Sequence, residues 1–468
     1  MRLVLLIAGL LLQDPTETRP SEPETAYRLL ESRLREARRV FVVYRRTCDA
    51  SDRSSVSGHM TLTWNTRENF NYRERNHDWY THSGRGGWGG SVEGTGGPRI
   101  YNRPESLAAG GLLEVLRHRS GHREFHGNEH LGIPTHDLSA FALAEDKGLR
   151  VLSFNLGCEA RSARELKRHE AKIRLWLDPK TGWPVRRTFE EVGEGATPRV
   201  HTEVYYRFDV DAPPLKDAAV QVLFPAPNEV KALAAKDPHY PRILEDLQAP
   251  ENWKAVIQEI EAVLCPYPKS TNLRVRFTES DESPGSEVTR DRSGITVTFN
   301  VKLIDAFRAR WQEVALANSE RSKQGKPLEF ERVPSMYNHV ARGLVHVLER
   351  GRQLPGWFHQ GVPSWLWADM YYVKTFLDRA AAVEEIDAKP ASAEDDYGRG
   401  HLFLLWLERK AGAGVFPALA RSVYEEGLDV QTAISRLLGA EWAEIKREEL
   451  AGSRQYAAIF KSTPAPAR

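Results

Sequence analysis

The sequence predicts an α+β chain of two domains, and three observations predict it. From residue 40 to about residue 210 the apolar residues come in short runs with strand character. From residue 252 onward they recur at helical spacing. Between these halves lie Pro213, Pro214, Pro225, Pro227 and Pro238, around a middle rich in Ala and Lys. A chain of 468 residues also exceeds what one hydrophobic core usually organises, and its 41% apolar content and 12 Trp suit folded domains.

Residues 1–20 read as an export signal. Arg2 supplies a positive start, and residues 3–12 form an apolar run that Gln13, Asp14 and Pro15 break. Ten residues are too short to span a bilayer as a helix, and no later stretch is long and apolar enough to anchor the chain. The expected location is therefore periplasmic or extracellular, with no transmembrane segment after the signal. Leu29, Leu30 and Leu34 recur at helical spacing among Arg and Glu, which predicts a helix over 26–39. Strands are predicted at 41–44, 60–64, 151–154, 173–177 and 202–208. Asp178, Pro179, Lys180, Thr181 and Gly182 supply the turn chemistry that joins 173–177 to 183–190 as a hairpin. A meandering antiparallel sheet follows. In 86–97, seven glycines surround Trp88, which predicts a loose hairpin or loop with Trp88 as a candidate cavity residue. Leu107, Leu112, Leu113 and Leu116 predict a second helix over 104–116.

The prolines make 213–245 the expected linker. Beyond it, Trp253, Val256, Ile257, Ile260 and Val263 define one apolar helical face. Two strands, 273–277 and 295–301, flank an acidic, Gly-containing loop, and nearly everything after Leu303 reads as helix. Ser335 as N-cap and Gly351 as C-terminal stop frame a helix of about four turns. Its apolar stripe is Met336, Val340, Leu344, Val347 and Leu348.

Lys plus Arg number 65 against 64 Asp plus Glu, so no global field draws the chain to nucleic acid or an anionic membrane. Cys48, Cys158 and Cys265 are too few and too scattered for a disulfide framework or a Cys-based zinc site. A Cys48–Cys158 bridge remains open to an exported chain. His118, His122, His126 and His130 are spaced four apart, but Gly121 and Gly127 interrupt any helix there and only Glu124 and Glu129 accompany them. That segment reads as a polar loop. No Gly-x-Ser-x-Gly elbow, phosphate-cradling loop or nucleic-acid module occurs.

The hairpin around 175–187, Leu-Trp-Leu-Asp-Pro-Lys-Thr-Gly-Trp-Pro-Val-Arg-Arg, resembles that of the LolA/LolB-like lipoprotein carriers. The likeness extends loosely over 25–212. It implies an incomplete antiparallel barrel wrapped around helices, with a concave apolar surface for an acyl chain or similar ligand. The bland alternative is a sheet that packs on its own helices.

Residues 335–367 resemble the gluzincin-type, peptidase MA-like zinc metallopeptidases, including the basic secretory protein group. Those families carry His-Glu-x-x-His on a long helix, then a short loop to Leu-Pro-x-Trp-hydrophobic-x-Glu-Gly at the next. Here Leu354, Pro355, Trp357, Gly361 and Trp365 keep the second pattern, and the likeness runs over 246–461 through residues 397–408. In an active relative two His four apart converge on zinc with a carboxylate from the next helix, and the Glu acts as base on the zinc-bound water. In this sequence Arg342 stands at the first His position, Gly343 at the base, His346 at the second His, and Gln360 and Ser364 at the two acidic positions. A guanidinium is permanently cationic and opposes a divalent metal, and Gly343 has no side chain. His346, His359 and Asp369 form a conceivable substitute ligand set.

The resemblances imply an exported two-domain pseudopeptidase that binds rather than cleaves and needs no cofactor. Its expected ligands are a peptide or protein in the C-terminal cleft and an apolar molecule in the N-terminal domain. Two alternatives stand beside it: an active zinc peptidase using substitute ligands, and a lipid or lipoprotein binder whose second half is structural.

Overall fold

A computed structural model of the chain describes residues 21–37, 39–48, 136–161, 166–192, 199–211, 220–223, 250–268, 271–278, 286–291, 294–300, 342–366, 370–412 and 414–462. It also describes the backbone of 56–66, 69–76, 79–84 and 87–92 and isolated positions between 302 and 324. The export signal, the helix at 104–116, the four-histidine segment, Ser335, Asp369 and the side chains of Trp88, Cys48 and Cys158 lie outside the described residues.

The N-terminal half is a helix on one large sheet. Helix α1 (Glu22–Glu36) starts where Ser21 accepts from the Glu24 backbone N–H at 3.3 Å. The strands are β1 (Arg39–Cys48), β2 (Val56–Thr66), β3 (Asn69–Asn76), β4 (Trp79–Gly84), β5 (Gly87–Val92), β6 (His136–Asp146), β7 (Leu149–Arg161), β8 (Leu166–Leu177), β9 (Pro184–Val192) and β10 (Arg199–Val210). Their order is β5-β4-β3-β2-β1-β10-β9-β8-β7-β6, antiparallel throughout. The sheet is thus open, with β5 and β6 at opposite edges. The predicted loop around Trp88 is the β4–β5 hairpin, in which Trp88 pairs with Ser83. Strands β3 to β5 were not predicted; Phe70 and Tyr72 alternate with asparagines at the start of β3 and Trp79 and Tyr80 open β4, but both runs are short and β5 is Gly-rich.

The β8–β9 hairpin closes as its sequence predicts. Asp178 accepts from the Lys180 backbone N–H at 2.9 Å and from the Thr181 hydroxyl at 3.1 Å, while Gly182 takes the left-handed φ of +73°. Ala171, Ile173, Leu175 and Leu177 of β8 alternate onto one buried face. Against that face α1 places Tyr27 and Leu30, with the Tyr27 ring 4.8 Å from Phe154.

Strand β1 is buried on both sides. Val40, Val42 and Tyr44 join the α1 core, whereas Phe41 and Val43 join the core of the C-terminal half. A bulge on β10 sharpens this division. Val43 pairs with Arg207 and Tyr44 with Tyr205, so Tyr206 is the extra residue. Tyr206 packs on the C-terminal core and Arg207 donates to Gln258 at 2.9 Å, while Tyr205 and Phe208 stay on the α1 side.

The C-terminal half begins with a second sheet of β11 (Val220–Leu223), β12 (Thr271–Thr278), β13 (Ser286–Asp291) and β14 (Gly294–Asn300) in the order β11-β12-β14-β13. The acidic loop expected between two strands contains β13, which forms a hairpin with β14 and leaves β12 and β14 as parallel neighbours. Strand β11 falls inside the stretch read as linker and pairs with β12. The helices are α2 (Pro250–Val263), α3 (Gly356–Leu366), α4 (Met370–Arg379), α5 (Ala393–Ala411), α6 (Val415–Ala420), α7 (Val430–Leu438) and α8 (Trp442–Ser462). The apolar face predicted for α2 is buried, with Val256, Ile257, Ile260 and Val263 all in the main core. Arg399 of α5 grips Glu449 of α8 with two hydrogen bonds, at 2.7 and 2.5 Å.

Cys265 follows α2 and is buried as a free thiol, and burial pushes its pKa up to about 12. A thiol so placed is inert toward disulfide exchange. A Cys265→Ser variant is expected to show the same number of reagent-accessible thiols as the parent when folded, and one fewer in denaturant. One fewer in the folded state would contradict this.

Candidate functional site

The site forms where the first motif helix ends and α3 begins. Residues 342–346 are helical, and Val347–Glu349 tighten into a 3-10 turn. In such a turn residues three apart stack over one another, so His346 and Glu349 share a face. Arg350 and Gly351 then take left-handed φ values of +50° and +87°, which reverses the chain as Gly351 predicts. Two contacts pin this corner. Tyr267 donates to the Leu344 carbonyl at 2.6 Å, and Arg352 donates to the carbonyls of Val423 and Tyr424.

The reversed chain lays α3 beside the corner. His359 Nδ1 lies 2.6 Å from Glu349 Oε1, and His346 Nδ1 lies 2.9 Å from the same oxygen. The two imidazoles stack with centroids 4.0 Å apart. One ligand atom from each of His346, Glu349 and His359 falls within 4.8 Å of the others. His346 and Glu349 are buried, while the His359 side chain is 32% exposed and gives the cluster one open side. Burial pushes the His346 imidazole below its ordinary 6.5. Glu349 pulls it back by contact and charge, and His359 and Arg342 push it down. Burial alone would raise the Glu349 carboxyl, but its contacts with both histidines outweigh this and hold it below 4.5.

The sequence-predicted positions separate. Arg342 is 3% exposed, with its guanidinium 5.1 Å from the Tyr397 ring centroid, so a fixed cation sits one helical turn from His346. Gly343 is buried and offers no base. Gln360 is half-buried, and its Oε1 has no hydrogen-bond partner among the described residues. Ser364 is fully buried and lies 3.0 Å from His401 Nδ1, away from any ligand role. Of these positions, Arg342, Gly343 and Ser364 offer no ligand suited to a divalent metal. His346 and His359 converge, and the third potential ligand among the described residues is Glu349; Asp369, the third residue of the expected set, lies outside them. The signal for Glu349 was the His-x-x-Glu spacing at 346 and 349, which gains meaning only once the corner returns His359.

Gly361 has a packing role. At Gly361 an added Cβ would stand 2.7 Å from the backbone of Gly400, and at Gly400 it would stand 1.8 Å from the Trp357 carbonyl oxygen. Helices α3 and α5 touch backbone to backbone at this crossing, which fixes His359.

No family model matches the chain, and no curated protein matches it in sequence. Among solved structures, the Pseudomonas aeruginosa MucA/MucB complex aligns at 12% identity and a TM-score of 0.24, over 42% of this chain and 60% of that chain. LprF from Mycobacterium bovis aligns at 10% identity and a TM-score of 0.20, over 42% of this chain and 96% of that chain. Likenesses this low carry no argument about function. Among the described residues no helix is long and apolar enough to cross a membrane.

Proposed function

We propose that the chain is an exported binding protein whose C-terminal half is a zinc-peptidase-like scaffold without hydrolytic chemistry. The observation that carries this reading is the buried Arg342–Gly343 pair, a fixed cation and an empty base position on the helical turn that precedes His346. A general base contributes roughly two to four orders of magnitude in rate, and Gly343 cannot supply it. A peptide or protein segment is the ligand class the scaffold suggests, held at the open side beside His359.

An acyl or other apolar ligand in the N-terminal half is the second reading. On β7 and β8 the sheet's apolar face is filled by Tyr27 and Leu30 of α1, which favours the C-terminal half as the binding site.

The test is hydrolysis of an unfolded, fluorescently labelled protein substrate by the full chain, with zinc and with chelator. No turnover above background is expected under either condition. Zinc-dependent cleavage that chelator removes and His346→Ala abolishes would overturn the reading and restore the active-peptidase alternative. Native mass spectrometry of the full chain addresses the second reading, because a stoichiometric acyl ligand would move the function to the N-terminal half.

A further inference from the structure

We infer that His346, Glu349 and His359 form a zinc site of their own, distinct in composition from the one the peptidase resemblance implies. Two imidazole nitrogens and one carboxylate oxygen are a three-ligand set of the kind that suits Zn2+ and leaves a fourth position for water. The geometry is close to what the ion requires. Zinc bonds of about 2.0–2.1 Å in tetrahedral arrangement place ligand atoms roughly 3.3 Å apart. The Glu349 oxygen already lies 2.9 and 2.6 Å from the two Nδ1 atoms, so admitting the ion opens these contacts by less than about 1 Å.

The supports are rigid. His346 and Glu349 ride one 3-10 turn, anchored by Tyr267 and Arg352, and His359 rides α3 at its closest approach to α5. Preorganisation of this kind lowers the ordering cost of binding. Without metal, each Nδ1–H donates to the same carboxylate oxygen. Ligation through Nδ1 would place each ring's remaining proton on Nε2. The half-exposed edge of His359 provides the entry path and the room for a water on the fourth position. Arg342 opposes the ion's charge and limits the affinity. With Gly343 at the base position, the bound water has no base beside it from the motif, so the site holds metal without the hydrolytic step.

The inference is separable from the binding reading. Zinc with no hydrolysis is the joint expectation. Zinc with chelator-sensitive hydrolysis overturns the proposed function and leaves the site standing, whereas absence of zinc overturns only the site.

The experiment uses the full chain stripped with chelator and dialysed against zinc chloride, with metal measured by elemental analysis. Cobalt(II) chloride serves as a spectroscopic probe of coordination. The expected result is about one zinc per chain and an intense visible cobalt spectrum of the tetrahedral type. His359→Ala and Glu349→Gln should each weaken zinc binding by at least about tenfold. His359 is partly exposed, so its variant keeps the fold, which circular dichroism verifies. Absence of zinc in the parent, or zinc retained in full by a folded His359→Ala protein, overturns the assignment.

Discussion

Glu408→Ala is expected to lower the unfolding free energy by about 3–5 kcal/mol, because it leaves a buried guanidinium without its counter-charge. Arg45 of β1 is 1% exposed, and its Nε donates to both carboxylate oxygens of Glu408 on α5, at 2.8 and 2.9 Å. Its Nη1 donates to the Trp365 carbonyl at 2.7 Å, and the guanidinium lies 4.0 Å from the Trp365 ring centroid. Trp365 completes the circuit by donating its indole N–H to Glu408 at 3.1 Å. Tyr206, the bulged residue of β10, sits within reach of the same pair. Burial drives its hydroxyl far above the ordinary range, Glu408 adds to this and Arg45 opposes it, so it stays protonated. The cluster joins residues far apart in sequence and ties the N-terminal sheet to the C-terminal helices. Denaturant titration of the full chain measures the effect. Arg45→Met combined with Glu408→Leu should cost less than the sum of the two single changes, since removing both charges leaves neither stranded. A loss below about 1 kcal/mol for Glu408→Ala would show that the halves do not depend on this contact.

Gly400→Ala is expected to cost about 3 kcal/mol or more, at the upper end of what overpacking does. The new methyl would lie 1.8 Å from the Trp357 carbonyl oxygen and 2.8 Å from the Gly361 Cα. These neighbours are backbone atoms on a packed helix and cannot swing aside as a side chain would. The helices α3 and α5 must separate, which displaces His359 from Glu349. Thermal denaturation compared with Gly414→Ala provides the check, because an added Cβ at Gly414 meets nothing within 4 Å. Equal melting temperatures for the two variants would remove the close crossing as the reason for glycine at this position.

Much of the local structure was legible in the residues. The alternation of Ile173, Leu175 and Leu177, the Asp178 to Gly182 turn and the 3.6-residue stripe of α2 are short-range patterns, set by side-chain period and turn chemistry. Strands β3, β4 and β5 were missed, since the aromatic signals at Phe70, Tyr72, Trp79 and Tyr80 are short and lie among polar residues and glycines. The reason for two glycines of the C-terminal half was not legible. Gly361 and Gly400 are explained by a helix crossing that sequence spacing alone does not reveal.

By itself the sequence determined that Gly343 has no side chain to act as a base and that Arg342 carries a permanent charge, neither of which any fold can alter. It also determined the α+β order and the turns that punctuate it. Only the tertiary structure decided that β1 is buried on both faces, that Tyr206 bulges toward the second half, and that Arg45 meets Glu408. It alone placed Glu349 between His346 and His359. These are encounters between segments remote in the chain. Their geometry depends on how a corner, a bulge and a helix crossing combine, and that combination is fixed by packing rather than by any local pattern.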